Sequence, residues 1–110
     1  MSPASSFVVV KLAGELEIGR KAEIAEALVV DPAATGLLLD FSDVTYADST
    51  VLAELLRFRA TAEENHVPVA IIIASRQFAR LIQYAGLSQI FAIFESRAEA
   101  LTYLAKGDPR

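Results

Sequence analysis

Many apolar residues of this chain lie in four short runs, at residues 7–13, 36–41, 67–74 and 90–94. These runs are nearly continuous in apolar or β-branched residues, a pattern typical of strands that are buried on both faces of a sheet. Between the runs, apolar positions recur at three- and four-residue spacing, which predicts helices with one buried face. The predicted helices cover residues 20–30, 50–65, 76–85 and 96–105, and residues 14–19 are a predicted connector.

Polar residues and glycine mark several predicted helix ends. Asp31 precedes a proline, a position that disfavours helical backbone angles, so the first helix is expected to end there. Ser75 is the predicted N-cap of the third helix, and Gly86 is its predicted left-handed end. Ser96 and Glu99 have the spacing of a capping box, which predicts the start of the last helix.

The second predicted helix has one apolar and one polar face, so we expect it to cover the sheet with the apolar one. Its predicted inner face consists of Val51, Leu55, Phe58 and Ala62, widened by Leu52 and Leu56. Its predicted outer face consists of Glu54, Arg57, Thr61 and Glu64.

Strands and helices alternate along the chain, and this order predicts right-handed crossovers within a largely parallel sheet. The connector after the first strand also permits other pairings of that strand. The predicted fold class is α/β, a single small domain with about four mostly parallel strands and four helices. A chain of 110 residues has room for one such core. The predicted boundaries are a tail at 1–6, the domain at 7–106 and a tail at 107–110.

Composition and charge exclude several classes of function. The chain has no cysteine and a single histidine, so neither a thiol nucleophile nor a metal site is expected. The net charge is -4 and no basic run occurs, so nucleic acid is not an expected partner. No apolar run approaches the roughly 18 residues that cross a bilayer, and no signal peptide pattern precedes Phe7. We therefore expect a cytoplasmic protein that does not insert into a membrane.

The sequence does not predict an enzyme. One histidine, His66 at a turn, cannot supply a Ser/His/Asp set, and no glycine-rich phosphate loop is present, so no cofactor is expected. A response-regulator receiver is also a small parallel α/β domain, but it needs an acidic pair after the first strand and a lysine after a late one. Residues 13–15 and 74–76 lack both features.

Three consecutive polar residues, Asp48, Ser49 and Thr50, stand between the second strand and the second helix, and we call them the triplet turn. A helix N-terminus carries unpaired N–H groups and about half a positive charge, which favours a phosphoryl group on a hydroxyl there. The negative charge of Asp48 disfavours a phosphoryl group on the neighbouring hydroxyl, because like charges repel. The same residues are also good N-caps. From the residues alone, a helix cap and a phosphorylation site both remain open.

The region around the triplet turn resembles the STAS domain (sulfate transporter and anti-sigma factor antagonist) family. Residues 39–50 are similar to its strand-turn-helix signature with an Asp-Ser-Ser or Asp-Ser-Thr triplet. Residues 12–17 are similar to its Gly-Glu-Leu-Asp turn, with Glu17 in place of aspartate, and residues 81–91 to its late helix-Gly-Leu-strand passage. Val51 replaces the glycine that many members have after the triplet.

The resemblance implies a non-enzymatic anti-sigma factor antagonist that regulates transcription by partner switching. In such members a partner that is both anti-sigma factor and serine kinase phosphorylates the first hydroxyl of the triplet, and a phosphatase removes the phosphate. Carried over, the phosphoacceptor is Ser49, with Thr50 as the alternative, and Asp40 shapes the partner surface. The predicted partner-binding residues are Glu15, Glu17, Asp43, Asp48, Ser49, Thr50 and Val51.

The resemblance leaves a second function open, because some STAS domains are subunits of transporters or signalling scaffolds that bind their partner without a phosphoryl switch. Arg76 and Arg80, four residues apart, are either a site for an anionic partner or a solvated face. The sequence does not predict an oligomeric state.

Overall fold

The computed structural model describes residues 7–106, so the two predicted tails lie outside the described residues. Strands and helices alternate along the whole described chain, as predicted. The strands are β1 (Phe7–Leu16), β2 (Gly36–Ala47), β3 (Val69–Ile73) and β4 (Ala92–Phe94). The helices are α1 (Lys21–Ala27), α2 (Thr50–Glu64), α3 (Arg76–Tyr84) and α4 (Arg97–Ala105), with short 3-10 turns at Ile18–Arg20 and Leu87–Gln89.

The four strands form one sheet in the order β1-β2-β3-β4, and all three neighbouring pairs are parallel. This confirms the predicted fold class, and β1 is parallel like the others. Right-handed crossovers that always advance in one direction place their helices on the same face. Accordingly α1, α2 and α3 share one large core, whereas α4 packs against the other face in a smaller cluster.

Alternation along β2 separates the two cores. Leu37, Leu39 and Phe41 point into the large core, and Leu38 points into the small cluster under α4. Asp40 follows the same alternation and is buried on the α4 side. The centre of β2 is therefore buried on both faces, as its continuous apolar pattern predicted.

Several element ends differ from the prediction. β1 continues into the predicted connector as far as Leu16, and β2 continues six residues beyond the predicted end, because the two strands pair with each other there. Two register shifts interrupt this pairing. Helix α1 ends at Ala27, before Asp31, because Leu28 leaves helical backbone angles at φ -90° and ψ 67°.

The predicted cap positions of Ser75, Ser96 and Gly86 are confirmed. The capping box at Ser96 is half formed, because within the described residues the Glu99 side chain makes no bond to the Ser96 amide. The Ser75 hydroxyl accepts a hydrogen bond from the Phe78 amide at 3.1 Å, and the Ser96 hydroxyl accepts one from the Glu99 amide at 3.1 Å. Gly86 ends α3 with φ +77°, a left-handed conformation that glycine adopts without a Cβ clash.

Helix α2 covers the predicted range to within one residue, and its four predicted inner residues are all buried. Two face assignments were wrong. Leu56, predicted to widen the inner face, is 47% exposed. Glu54, predicted on the outer face, is only 5% exposed, because α1 and the segment after it pack over this side of α2.

Candidate functional site

The triplet turn connects the end of β2 to the start of α2, and Asp48 holds it in place. Its Oδ1 accepts a hydrogen bond from the Thr50 amide at 2.8 Å, and its Oδ2 accepts one from the Ile18 amide at 3.2 Å. The Asp48 amide donates to the Leu16 carbonyl at 3.0 Å. One aspartate thus joins the ends of β1 and β2 to the first turn of α2.

These hydrogen bonds also stabilise the charge of Asp48. The bond from the Thr50 amide is the main cause that holds the pKa of Asp48 below its ordinary value, and the Ile18 amide acts in the same direction. Asp48 is therefore an anion at neutral pH, next to the phosphoacceptor that we predict.

Ser49 occupies the N-cap position of α2, yet its side chain makes no capping hydrogen bond. Asp48 supplies that bond instead. The Ser49 side chain is exposed, whereas Thr50 is half-buried. Of the two hydroxyls, that of Ser49 is the more accessible to an enzyme.

Gln77 on α3 supports the turn from the other side. Its amide nitrogen donates to the Ala47 carbonyl at 2.7 Å, and its amide oxygen accepts from the Ala47 amide at 2.9 Å. Pairing between β2 and β3 ends at Phe41, so the Gln77 side chain takes the place that a longer β3 would occupy beside Ala47. No sequence signal pointed to this role.

Replacing Gln77 with alanine is expected to lower the free energy of unfolding by about 1–2 kcal/mol, because both backbone groups of Ala47 lose their partner. Amide hydrogen exchange at Ala47 should accelerate more than exchange in the centre of β2. Gln83→Ala is the matched control, since Gln83 is exposed on the same helix. Equal effects of the two substitutions would show that the bonds to Ala47 contribute nothing.

Arg20 fixes the end of β1 beside the triplet turn. Its Nη1 donates to the carbonyls of Ala13 at 2.7 Å and Glu15 at 2.8 Å, and the rest of its guanidinium binds both carboxylate oxygens of Glu23. The hydrogen bond from Arg20 lowers the pKa of Glu23. Arg20 thereby supplies hydrogen-bond donors to the carbonyls of Ala13 and Glu15 on the outer edge of β1. The sequence did not predict this role.

A charged network lies on the α4 face of β1 and β2. Asp40 accepts hydrogen bonds from the Ser42 hydroxyl at 2.6 Å and amide at 3.0 Å, and from Arg97 at 3.0 Å. Lys11 binds Asp43 at 2.9 Å and lies 3.9 Å from Asp40. Burial acts to raise the pKa of Asp40, but the two bonds from Ser42 and the charges of Lys11 and Arg97 outweigh it and hold the pKa below its ordinary value.

The structure separates the predicted site residues into three groups. The exposed group consists of Ser49, Glu15, Glu17 and Asp43, the half-buried group of Asp48 and Thr50, and the buried group of Val51 and Asp40.

The two buried residues correct two expectations about the partner surface. Val51 is fully buried, because it begins the inner stripe of α2, so it offers no surface to a partner. Asp40 is also buried, and it connects β2 to α4 rather than shaping a partner surface.

Within residues 7–106 no group of histidine and acidic side chains is arranged to hold a metal ion. In the same part of the chain, no helix is both long enough and apolar enough to cross a membrane. The site is a corner formed by backbone groups, two hydroxyls and the Asp48 carboxylate.

Comparison with known proteins identifies the fold. A family model described as "Mlab, STAS domain" matches residues 3–95. An anti-sigma factor antagonist from Mycobacterium paratuberculosis superposes with a TM-score of 0.82 at 21% identity, covering 94% of this chain and 97% of the other.

Two further solved structures share the fold. A sulfate transporter family protein from Wolinella succinogenes has a TM-score of 0.73 at 16% identity, covering 90% of this chain and 84% of the other. The anti-sigma factor antagonist SpoIIAA in its unphosphorylated form has a TM-score of 0.62 at 18% identity, covering 94% and 93%.

Proposed function

Because this chain belongs to the STAS domain family, we propose that it is a regulatory protein of the anti-sigma factor antagonist type. It binds its partner at the triplet turn, and phosphorylation of Ser49 releases the partner. The partner is an anti-sigma factor that also acts as serine kinase, and a phosphatase restores the binding form. The protein performs no catalysis and works in the cytoplasm.

The observation that carries this proposal is that the Ser49 hydroxyl is exposed and makes no capping hydrogen bond. It is exposed, it stands at the N-cap of α2, and it makes no capping bond that phosphorylation would break. Asp48 performs the capping instead, so the turn keeps its shape when Ser49 carries a phosphoryl group. Phosphorylation then changes the surface charge by about -1.5 to -2 without unfolding the turn.

The acidic residues near the turn favour a partner interface that is sensitive to charge. Asp48, Glu17 and Glu15 are grouped there because Asp48 binds the backbone at Ile18 and Leu16. A phosphoryl group added to an already acidic corner repels a partner fitted to it and costs desolvation in the interface. The expected result of phosphorylation is dissociation.

A transporter subunit is the second candidate function. It is favoured by the fold shared with the sulfate transporter family protein. In that case the triplet turn binds its partner constitutively, and Ser49 accepts no phosphate.

Incubation with Mg-ATP and an extract of the source cells, followed by mass spectrometry, is expected to place one phosphate on Ser49. Ser49→Ala should abolish the modification, and Ser49→Asp should release a partner that the unmodified protein captures. Ser88→Asp is the control, since Ser88 is exposed beyond the other end of α3 and should leave capture unchanged. Capture that survives Ser49→Asp, with no phosphate on Ser49 or Thr50, would contradict the switch and favour the transporter subunit.

A further inference from the structure

Glu54 on α2 is a buried carboxylate that is paired with an exposed cation. Asp40, the other buried charged residue in the described part of the chain, receives two hydrogen bonds from Ser42 and one from Arg97. Within residues 7–106, the contact of Glu54 Oε1 with Arg57 is the ion pair that Glu54 makes, and the Arg57 side chain is itself 68% exposed. No buried side-chain oxygen in the described residues lacks a hydrogen-bond partner, so Glu54 is paired as it stands. Its ion-pair partner is an exposed guanidinium, which another cation can replace.

The position of Glu54 explains its burial. It lies three residues after Val51 and four before Phe58, so helical spacing places it inside the apolar stripe of α2. A leucine at position 54 would fill the same space without burying a charge. Packing alone therefore does not explain why this residue is a glutamate.

Glu54 lines a groove of about 350 Å³ between α2 and the end of α1. The groove walls are mostly apolar, and Val29 on the rim is 63% exposed. The other lining residues are Ala25, Leu28, Val30, Arg57, Phe58 and Thr61. Apolar walls around one carboxylate match a side chain with an aliphatic stem and a cationic head.

We propose that this groove receives an arginine side chain of the protein that binds the triplet turn, with its guanidinium on the Glu54 carboxylate. This rests on the proposed function for the identity of the partner. Glu54 lies one helical turn after Thr50 on the same face of α2, so the groove begins one helical turn from the triplet turn. The incoming guanidinium replaces that of Arg57, which turns into solvent, so the charge balance around Glu54 is preserved.

The groove can be tested with n-butylguanidinium, which reproduces the stem and head of an arginine side chain. Titration of the full chain, followed by amide NMR, should give saturable shifts at Ala25, Val29 and Thr61. Guanidinium without the alkyl stem should bind more weakly. Equal, non-saturating shifts for both cations, or shifts spread over the whole surface, would overturn the proposal.

Two substitutions are expected to act in opposite directions. Glu54→Gln should weaken binding of n-butylguanidinium by at least about tenfold, because a charge-assisted hydrogen bond is lost. Arg57→Gln should strengthen binding, because the resident cation no longer competes. Glu64→Gln, on the exposed end of α2, is the control and should change nothing. If Arg57→Gln left binding unchanged or weakened it, the exchange of guanidinium groups would be wrong.

The partner itself provides the second measurement. Glu54→Gln should weaken capture of the same partner that Ser49→Asp releases, whereas Glu64→Gln should not. Full capture by Glu54→Gln would overturn the assignment of the groove to this partner. The cation titration does not involve Ser49, so it should be the same for Ser49→Ala, and failure of the phosphoryl switch would leave its result intact.

Discussion

Replacing Phe41 with alanine is expected to lower the free energy of unfolding by about 3–5 kcal/mol, the largest loss we predict for a single substitution. Phe41 is fully buried where β2 meets α3, and its ring lies 5.4 Å from that of Phe78. The substitution removes the transfer free energy of the ring, leaves a cavity and abolishes the aromatic contact. Urea or guanidinium unfolding followed by circular dichroism measures the loss.

Phe41→Leu and Phe94→Ala are the controls for Phe41. Leucine fills most of the site, and Phe94 is half-buried against Tyr103 on the smaller α4 face, so both should cost less. A loss for Phe41→Ala no greater than for Phe94→Ala would show that the junction of β2 and α3 is not the centre of the core.

The second large effect is expected for Asp40→Asn, which should lower the free energy of unfolding at neutral pH by about 2–3 kcal/mol. The amide weakens the bonds from Ser42 and leaves Arg97 and Lys11 without their shared anion. The cost stays moderate because both cations are half exposed and can be hydrated. Asp43→Asn is the control, because Asp43 is exposed and its pair with Lys11 contributes about 0.2–1 kcal/mol.

The same carboxylate predicts a dependence of stability on pH. The pKa of Asp40 is lower in the folded protein than in the unfolded chain, where it is about 3.9. Its contribution is complete above the unfolded pKa and is lost as pH falls through the folded pKa. Stability should therefore decrease below about pH 4, and less steeply in Asp40→Asn than in the native protein. Equal slopes in both proteins would contradict the role of Asp40. The carboxylates of Asp48 and Glu23, whose pKa values are also lowered, account for a remaining slope.

The sequence predicted the number, type and order of the main elements because each strand core is a short apolar run and each helix has a marked face. It missed the second half of β2 for a physical reason. The two register shifts add residues to β2, so its buried positions there, Phe41, Val44 and Ala47, are three apart instead of two. That spacing matches neither a regular strand nor a long helix, so the apolar pattern predicts a turn there.

The candidate site was partly predictable. The polarity of the triplet turn and its place after a buried strand identified Asp48, Ser49 and Thr50, but the contacts of Gln77 and Arg20 depend on segments far away in sequence. The predicted outer position of Glu54 was wrong, because a charged side chain is ordinarily expected in solvent. The spacing from Val51 and Phe58 had already placed it on the inner face.

The order of the strands has a consequence for drug design. In α/β sheets whose strand order reverses, helices diverge to opposite faces at the reversal, and the crevice between them holds small ligands. Within the described residues this sheet advances in one direction from β1 to β4 and contains no such reversal. At the triplet turn itself the chain therefore presents a corner rather than a crevice. Under the proposed function, a small molecule that competes directly at Ser49 is expected to bind the partner, whereas the groove beside Glu54 is a concave surface on this chain.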